Sequence, residues 1–398
     1  MDHILNISQK NAVLNTMTVL IDKQRDAIIK ANLKDLDSYT GNDVAMKDRL
    51  KVDQKKIDGM IAALHQLANQ EDPIGVERFR FTHDNGMQVY NKTAAFGTVL
   101  IIYESRPDVT IEAAGIAFKS GNRILLKGGK ESLHSNLEIV KLWHQALKEN
   151  DISPSWITYL NYNRTETQKF LEKPTQNVDL IVPRGGEKLI AFVKEHATCP
   201  VIVSGRGNNF VYVHNEADKT LALDNIINGK TDKISACNAV DKVLIDRNLP
   251  NKEKFIKELI TTLQNYNVEI LGDSYISEYE NVSVIPNETI WQEEFLDYKI
   301  VIGETENATA AISKINDYSG GHSAAIITTN QQEAEFFMSS VDCAAVYHNA
   351  STRFTDGFQL GLGGELAIST DKLHQRGPIG LQHLVTNKWY IHGDGQIR

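Results

Sequence analysis

Short apolar runs alternate with amphipathic stretches along most of this chain, and this alternation restricts the possible folds more than any other feature. The apolar runs at 98–102, 123–127 and 178–182 are each followed by a segment with helical periodicity. The same alternation resumes after residue 240 and continues to residue 347. Short strands that alternate with helices are typical of mostly parallel, doubly wound sheets. The sequence therefore predicts two α/β domains.

Three further segments complete the predicted layout. Residues 1–95 are predicted to be mainly helical, because apolar residues recur at helical spacing within 57–67. Residues 200–204 are predicted to form a strand that opens into a glycine-containing turn. The segment 387–392 is rich in β-prone residues and is predicted to be an extended arm that pairs with another subunit.

Charge and cysteine content exclude several classes of protein. The formal net charge of -9 argues against nucleic-acid binding. No apolar run approaches the roughly 20 residues of a membrane span, and the amino terminus lacks the pattern of a signal peptide. The three cysteines form no paired framework, which indicates a reducing, cytoplasmic location. No Cys-x-x-Cys or His-Glu-x-x-His motif occurs, so no metal site is predicted.

Cys237 is the strongest candidate for a catalytic residue. It follows Lys230 and Lys233 and lies just before a strand-like run. Nearby cations stabilise a thiolate and lower the pKa of the thiol, which a nucleophilic cysteine requires. Cys199 and Cys343 have apolar neighbours and are predicted to be core residues.

Three turns that follow predicted strands, at 127–131, 183–186 and 204–208, are rich in glycine and cations. Glycines let backbone amides approach a phosphate, and a following helix N-terminus adds a favourable dipole. None of the turns is a G-x-G-x-x-G fingerprint, which disfavours an ordinary Rossmann dehydrogenase. The predicted cofactor-binding residues in these turns are Lys127, Gly128, Gly129, Lys130, Arg184, Gly185, Gly186, Ser204 and Gly205.

Seven segments, in this order, closely resemble the gamma-glutamyl phosphate reductases, also called glutamate-5-semialdehyde dehydrogenases. They lie at 103–110, 127–131, 183–186, 237–239, 320–323, 349–357 and 373–378, and the resemblance runs over essentially the whole chain. The wider relatives of this family are the aldehyde dehydrogenases. The resemblance implies an aldehyde-dehydrogenase-like α/β fold, with two doubly wound domains and an oligomerisation arm. The domains expected are an NADP-binding domain at 1–229, a catalytic domain at 230–365, and a returning helix and arm at 366–398.

The resemblance also implies a reaction, the second step of proline biosynthesis. In it L-glutamyl 5-phosphate is reduced by NADPH to L-glutamate 5-semialdehyde and phosphate, through a thioester on Cys237. The turn at 204–208 has no carboxylate that could activate water, which favours the phosphate-linked reaction over a hydrolytic one. An oxyanion hole is expected from the Cys237 backbone N–H and a donor near Ser105.

Further roles follow from the same resemblance. The substrate carries a phosphate and an α-carboxylate, and its expected partners are Arg106, Lys233, His322 and Arg353. Lys127 and Lys130 are expected to meet the adenosine ribose and its 2′-phosphate, which matches NADP. Glu294 resembles the position that binds the nicotinamide ribose in aldehyde dehydrogenases. A homo-oligomer is expected, with glutamate 5-kinase as a candidate partner protein.

The chain departs from the family pattern in the loop before the nucleophile. The family usually has Gly-Asn-Cys-His where this chain has Gly207-Asn208-Asn209-Phe210, and Lys233 replaces a usual arginine. Lysine and arginine are not interchangeable at a bidentate anion site. The local anion contacts are therefore expected to differ from the family pattern.

Two alternatives remain open at this point. One is another aldehyde dehydrogenase, acylating or hydrolytic, that acts on a small aldehyde; replacing phosphate by coenzyme A in the assay separates it from the first reading. The other is a catalytically silent nucleotide-binding or scaffold protein. It requires an inert Cys237, which the rate of thiol alkylation at neutral pH would reveal.

Overall fold

The computed structural model describes residues 4–41 and 44–398, which fold into two units. The first unit holds the chain up to Ser204, together with Gly361–Ala367 and Ile379–Arg398. The second unit holds Gly205–Leu360 and Ile368–Pro378. Among the described residues, no helix is long and apolar enough to cross a membrane.

The first unit packs helices on a four-stranded parallel sheet. Its helices are α1 (Ile7–Lys23), α2 (Arg25–Ser38), α3 (Val44–Leu50), α4 (Gln54–Asn69), α5 (Val109–Lys119), α6 (Leu133–Glu149), α7 (Arg164–Glu172) and α8 (Glu187–His196). Its first six strands are β1 (Glu77–Thr82), β2 (Gln88–Ala95), β3 (Thr98–Tyr103), β4 (Arg123–Lys127), β5 (Ile157–Tyr159) and β6 (Leu180–Arg184). The sheet order is β5-β4-β3-β6. The order reverses between β3 and β6, which makes that crevice the topological switch point of the unit.

The second unit is built on a seven-stranded parallel sheet of order β10-β9-β11-β8-β7-β12-β13. Its strands are β7 (Asn209–Val213), β8 (Val240–Asp246), β9 (Glu269–Gly272), β10 (Ser283–Val284), β11 (Lys299–Thr305), β12 (Ser323–Ile327) and β13 (Ala345–His348). Its helices are α9 (Lys219–Thr231), α10 (Lys252–Asn265), α11 (Ala308–Tyr318) and α12 (Gln331–Ser340). All seven residues of β8 are buried, as expected for a central strand covered on both faces.

The division of the chain differs from the predicted boundary at 229/230. The two units divide at Ser204 and Gly205, because β7 pairs with β8 and β12 and so belongs to the second sheet. The predicted strand at 200–204 is also corrected: this segment has isolated bridges at Val201, which pairs with Ile181, and at Ser204, and no continuous strand. The turn at 204–208 consequently precedes β7, at the amino edge of the second sheet.

The helical prediction for residues 1–95 holds as far as α4 and fails beyond it. In α4 the buried side chains include Ile57, Met60 and Leu64, and Asp53 caps its amino end by accepting from Lys56 N. Residues 77–95 instead form a β-hairpin of β1 and β2. The tight turn is closed by a hydrogen bond of 2.8 Å from Gly86 N to His83 O, with Gly86 at φ +88°. Glycine adopts this positive φ without strain, so the Asp-Asn-Gly sequence at 84–86 is a hairpin signal.

The predicted carboxyl-terminal arm is a strand. After the short strands β14 (Ala367–Ser369) and β15 (Gly377–Ile379), β16 (Val385–His392) pairs antiparallel with β2. Together β1, β2 and β16 form a three-stranded sheet in that order. The residues of β16 beyond Val385 are exposed.

Candidate active site

Cys237 lies at the tip of a tight turn between α9 and β8. It is half-buried, and Cys237 and Asn238 are the two central residues of a β-turn closed by a 3.0 Å hydrogen bond from Ala239 N to Ala236 O. Asparagine is favoured in such turns. The thiol is therefore carried at the amino end of a fully buried strand, which gives the turn a rigid base.

Gly207 is required for the packing of this turn. A Cβ on Gly207 would lie 1.9 Å from the backbone oxygen of Cys237. Because this clash is with the backbone, a change of side-chain rotamer could not relieve it. Asn209, two residues later, donates from Nδ2 to the carbonyls of Cys237 and Ala239, at 2.7 Å each. The loop before β7 and the first residue of that strand thus pack against the Cys237 turn and bond to its carbonyls.

The polar loop at 349–357 is joined to the same turn. Asn238 Nδ2 donates to the carbonyls of Arg353 and Thr355, at 3.1 and 3.0 Å. Thr352 Oγ1 donates in return to the carbonyl of Asn238, at 2.8 Å. One of the seven segments that carry the family resemblance, 349–357, therefore lies directly beside Cys237.

The cations predicted to face the substrate differ in their surroundings within the second unit. Arg353 forms a two-pronged ion pair with Asp232, at 3.1 Å from Nε and 3.0 Å from a terminal nitrogen. Lys233 is exposed. Lys230 is fully buried and pairs with Asp241 at 2.7 Å, so its charge is already matched. Of the two lysines before Cys237, Lys233 is the one that could contact a dissolved anion.

His322 lies in the core rather than at a surface. It is 1% exposed, and its Nδ1 lies 2.8 Å from Asn209 Oδ1. Burial lowers the pKa of His322 to about 4, so the ring is neutral near pH 7. A neutral buried ring cannot contribute a positive charge to a substrate, which corrects the expected role of this residue.

The segment that carries Glu294 is hydrogen-bonded to a buried lysine. Lys242 Nζ donates to the carbonyl of Glu293 at 2.7 Å and lies 3.9 Å from the centroid of the Phe295 ring. Asp241 accepts from Phe295 N at 2.8 Å. Burial lowers the pKa of Lys242 to about 7. Glu294 itself is half-buried beside these anchored residues.

In the first unit, three predicted segments meet at the carboxyl edge of the parallel sheet. Residues 104–106 follow β3, residues 128–130 follow β4, and residues 185–186 follow β6. The segments after β3 and β6 flank the switch point, where open α/β sheets bind ligands.

Contacts at this edge already involve anionic oxygens. Gly186 N, at the start of α8, donates to Glu104 Oε1 at 3.0 Å, and a Cβ on Gly185 would lie 2.5 Å from the Glu104 carboxyl carbon. Ser105 Oγ donates to Glu131 at 2.8 Å. Because an amide at the N-terminus of α8 donates a hydrogen bond to a carboxylate, the amides there are also suited to bind the phosphate oxygens of a dinucleotide.

The two lysines after β4 differ in exposure. Lys127 Nζ donates to the carbonyl of Gly128 at 2.7 Å, and burial lowers the pKa of Lys127. Lys130 is exposed at the start of a short 3-10 turn. A Cβ on Gly129 would lie 2.6 Å from Ser105 Oγ, so this glycine permits a close approach of two chain segments. Lys130 is the better placed of the two for an external phosphate.

The remaining predicted residues have structural contacts. Arg106 donates to Asp108 at 3.0 Å. A Cβ on Gly205 would lie 2.3 Å from the side chain of Thr370, and Ser204 is half-buried at the end of the first unit. Cys343 is buried, and burial raises the pKa of its thiol to about 11, as suits a core cysteine.

Sequence reasoning missed Asn209, which bonds to the Cys237 turn, and Asp232, which pairs with Arg353. Asn209 has a weak signal in the sequence, because a polar residue directly before the apolar run 210–213 is unexpected at the start of a buried strand. Asp232 was hidden because its partner Arg353 lies far away in the chain.

Comparison with known proteins shows the family to which this chain belongs. The model of the aldehyde dehydrogenase family matches residues 4–274 and 281–389. Gamma-glutamyl phosphate reductase of Clostridium botulinum (strain Alaska E43 / Type E3) is 42% identical over 393 residues, which cover 98% of this chain and 94% of that protein. The chain belongs to the aldehyde dehydrogenase family, in its gamma-glutamyl phosphate reductase branch.

Solved structures agree with this family assignment. The crystal structure of gamma-glutamyl phosphate reductase from Thermotoga maritima is 37% identical, with a TM-score of 0.94, and the match covers 99% of this chain and 95% of that one. An acetylating aldehyde dehydrogenase from Geobacillus thermoglucosidasius shares the fold at 16% identity, with a TM-score of 0.70 and coverage of 99% and 93%. The predicted resemblance and the aldehyde-dehydrogenase-like α/β fold are confirmed. Family membership makes the protein an oxidoreductase and implies a nicotinamide cofactor.

Proposed function

We propose that this protein reduces L-glutamyl 5-phosphate to L-glutamate 5-semialdehyde and phosphate with NADPH, as the second step of proline biosynthesis. The observation that carries the proposal is the full-length identity of 42% to a gamma-glutamyl phosphate reductase. The position of Cys237, half-buried at the tip of a braced turn, supports the role of nucleophile.

The chemistry assigned to Cys237 is nucleophilic catalysis. Its thiolate attacks the acyl carbon, a C–S bond forms, and the C–O bond to phosphate breaks with the electron pair leaving on phosphate. When bound, NADPH supplies the hydride that reduces the resulting thioester. The oxyanion of the thiohemiacetal on Cys237 then re-forms the carbonyl, and the C–S bond breaks with its electron pair on sulfur, which takes up a proton to restore the thiol.

The residues proposed to hold the anionic groups of the substrate are Lys233, Arg353 and Arg106. Lys233 is exposed four positions before Cys237, and Arg353 is held in a fixed orientation by Asp232. Ser105, expected to supply a donor to the acyl oxygen, is left out of the proposal because it is 1% exposed and its hydroxyl already donates to Glu131. His322 is left out of this set because it is buried and neutral. Substituting Lys233 or Arg353 should raise the KM for phosphate, measured in the reverse direction, more than the KM for NADP.

The cofactor is proposed to be NADP, held in the first unit. The glycine turns after β4 and β6 offer backbone amides to the phosphates, and Lys130 offers an exposed charge to a 2′-phosphate. Glu294, in the second unit, is proposed to bind the nicotinamide ribose. We also infer a cytoplasmic homo-oligomer that receives its unstable acyl phosphate from glutamate 5-kinase.

The reverse reaction tests this function. Glutamate 5-semialdehyde and NADP are supplied with phosphate, with coenzyme A, or with neither, and NADPH formation is followed. The turn at 204–208 carries no carboxylate to activate water, and general-base assistance contributes about 10²–10⁴-fold. Hydrolytic turnover should therefore be slower than phosphate-dependent turnover by about that margin. Comparable rates without phosphate, or rates that depend on coenzyme A, would reassign the substrate.

A further inference from the structure

The side chain of Asn209 is bonded at every polar position. It is fully buried at the first residue of β7. Its Nδ2 faces the carbonyls of Gly207, Cys237 and Ala239, at 3.2, 2.7 and 2.7 Å. Its Oδ1 lies against His322 Nδ1 and Ser323 Oγ. One buried carboxamide thus connects the nucleophile turn to the start of β12.

The orientation of this carboxamide follows from its partners. Carbonyl oxygens only accept hydrogen bonds, so the group that faces three of them must be the amide nitrogen. Asn209 Oδ1 therefore faces His322 and must accept, which makes Nδ1 of His322 the protonated nitrogen. Burial lowers the pKa of His322 to about 4, so this single tautomer persists across the neutral range.

The contact to Cys237 controls the geometry of the reacting residue. Fixing the carbonyl of Cys237 fixes the peptide plane between Cys237 and Asn238, and with it the direction in which the side chain leaves the turn. Gly207 makes the contact possible, since any Cβ there would occupy the position of the Cys237 oxygen. A displacement of about 1 Å at a reacting atom can cost about 10²-fold in rate.

We propose that Asn209, oriented by His322 and Ser323, is the positioning residue for the Cys237 nucleophile. This inference rests on the proposed function only in taking Cys237 as the reacting thiol. Asn209 does not touch substrate or cofactor; it acts through the backbone of the turn. Its removal should therefore lower the reactivity of the thiol and kcat, and leave the affinity for the cofactor unchanged.

Asn208 provides a matched control. It is equally buried, and its Nδ2 also donates to two backbone carbonyls, those of Trp291 and Tyr318, at 2.6 and 2.8 Å. These bonds lead to other elements of the second unit and not to the Cys237 turn. The two substitutions therefore remove similar buried hydrogen bonds from adjacent positions, and they differ in their connection to the nucleophile.

The experiment compares Asn209→Ala with Asn208→Ala in the full-length protein. The rate of Cys237 alkylation by iodoacetamide is read by mass spectrometry, with Cys199 as internal reference, next to kcat and the KM for NADPH. For Asn209→Ala we expect alkylation and kcat to fall about tenfold to a hundredfold, with the KM for NADPH within about twofold of wild type. For Asn208→Ala both rates should stay within about threefold of wild type, although thermal stability falls in both variants.

The outcomes separate the two proposals. Equal losses of alkylation in the two variants, or wild-type alkylation in Asn209→Ala, overturn the positioning role. If wild type does not reduce glutamyl phosphate, the proposed function fails, yet the alkylation contrast still decides the role of Asn209. If Asn209→Ala does not fold, His322→Leu replaces it, because it removes one donor to Asn209 Oδ1. Alkylation and kcat should then fall about threefold to tenfold, and unchanged rates would overturn the proposal.

Discussion

At the scale of single residues, the three cysteines of this chain differ in their surroundings. Cys237 is half-buried at the tip of a turn, whereas Cys343 is buried, with a thiol pKa raised to about 11. A thiol with such a pKa holds almost no thiolate at pH 7. Cys199 is half-buried against an apolar cluster of the first unit. Burial sets Cys343 apart from the other two cysteines, and its place in the turn before β8 sets Cys237 apart from Cys199.

Cys237→Ala should abolish turnover and leave NADPH binding nearly intact, because the thiol forms the covalent intermediate and is not proposed to contact the cofactor. Steady-state assays and fluorescence titration with NADPH measure the two properties. Cys199→Ala is the control and should retain activity. A few per cent of residual activity in Cys237→Ala, or complete loss in Cys199→Ala, would contradict the assignment.

Glu112 should make the stability of the protein depend on pH. Burial, and then the charge of Asp108, raise the pKa of Glu112 from 4.5 to about 7, against the opposing charges of Arg106, Arg184 and Lys56. Between pH 4.5 and 7 the folded protein therefore holds a proton that the unfolded chain has lost, so the free energy of unfolding falls as pH rises.

Glu112→Gln removes this titration. Relative to wild type, the variant should gain up to about 3 kcal/mol of stability between pH 4.5 and pH 8, since one pKa unit corresponds to about 1.4 kcal/mol. Urea denaturation at a series of pH values measures the difference. Glu149→Gln, at an exposed position with the same charge change, should show no such gain. A constant difference between Glu112→Gln and wild type would refute the assignment.

At the scale of elements, the three-stranded sheet of β1, β2 and β16 has one apolar face. The pairing places Phe79, Asn91 and Trp389 in one row and Phe81, Val89 and Ile391 in the next. Paired residues point to the same side of a sheet, so these side chains share a face. The two phenylalanines, Trp389 and Ile391 are 47–55% exposed. Contiguous exposed apolar surface of this kind is suited to burial between protein chains, and we propose this face as the contact of the homo-oligomer.

A Trp389→Glu, Ile391→Glu double variant should therefore dissociate the proposed homo-oligomer. Two buried charges without partners cost several kcal/mol in an interface, which is enough to shift assembly by orders of magnitude. Light scattering coupled to gel filtration reports the mass, and Leu33→Glu, at a position 52% exposed on α2, serves as control. An unchanged mass in the double variant, or a monomeric wild type, would remove this sheet as the interface.

At the scale of the whole molecule, the candidate site residues lie at opposite kinds of sheet edge in the two units. The first unit offers the carboxyl edge of β3, β4 and β6, and the second offers the amino edge at the Cys237 turn. Cofactor choice should consequently depend on the first unit and thiol reactivity on the second. Substitutions in each unit can separate the two properties.

NADPH should be preferred over NADH by roughly tenfold to a hundredfold in kcat/KM, because a charge-assisted hydrogen bond to the 2′-phosphate contributes about 1.5–3 kcal/mol. Lys130→Ala should remove much of this preference while the alkylation rate of Cys237 stays at the wild-type value. Lys141→Ala, at an exposed position of helix α6, is the matched lysine control. Equal kcat/KM for the two cofactors in wild type would exclude the 2′-phosphate contact.

Local sequence patterns were sufficient to predict the helices and strands whose own residues show a clear hydrophobic periodicity. The predicted strands at 98–102, 123–127 and 178–182 overlap β3, β4 and β6, and the helical segments predicted after them are α5, α6 and α8. Each buries a face or a run that the side chains of that segment define alone. Contiguous residues were likewise sufficient to identify Cys237 as a candidate nucleophile and to recognise the family motifs. The hairpin of β1 and β2 carried its own turn signal and was still missed, because β1 is exposed along its whole length and buries no apolar face.

Contacts between distant residues could not be obtained from the sequence, because nothing local encodes which segments meet. The pairing of β7 with β12 moved the boundary between the units, and the predicted arm, expected to pair with another subunit, pairs as β16 with β2 of its own chain. Burial likewise reassigned His322 from a substrate contact to a partner of Asn209, since the charge of a histidine depends on its solvation and not on its neighbours in the chain. Residue types and local periodicity thus specified the fold class and the candidate nucleophile, whereas long-range packing set the environment in which each candidate residue acts.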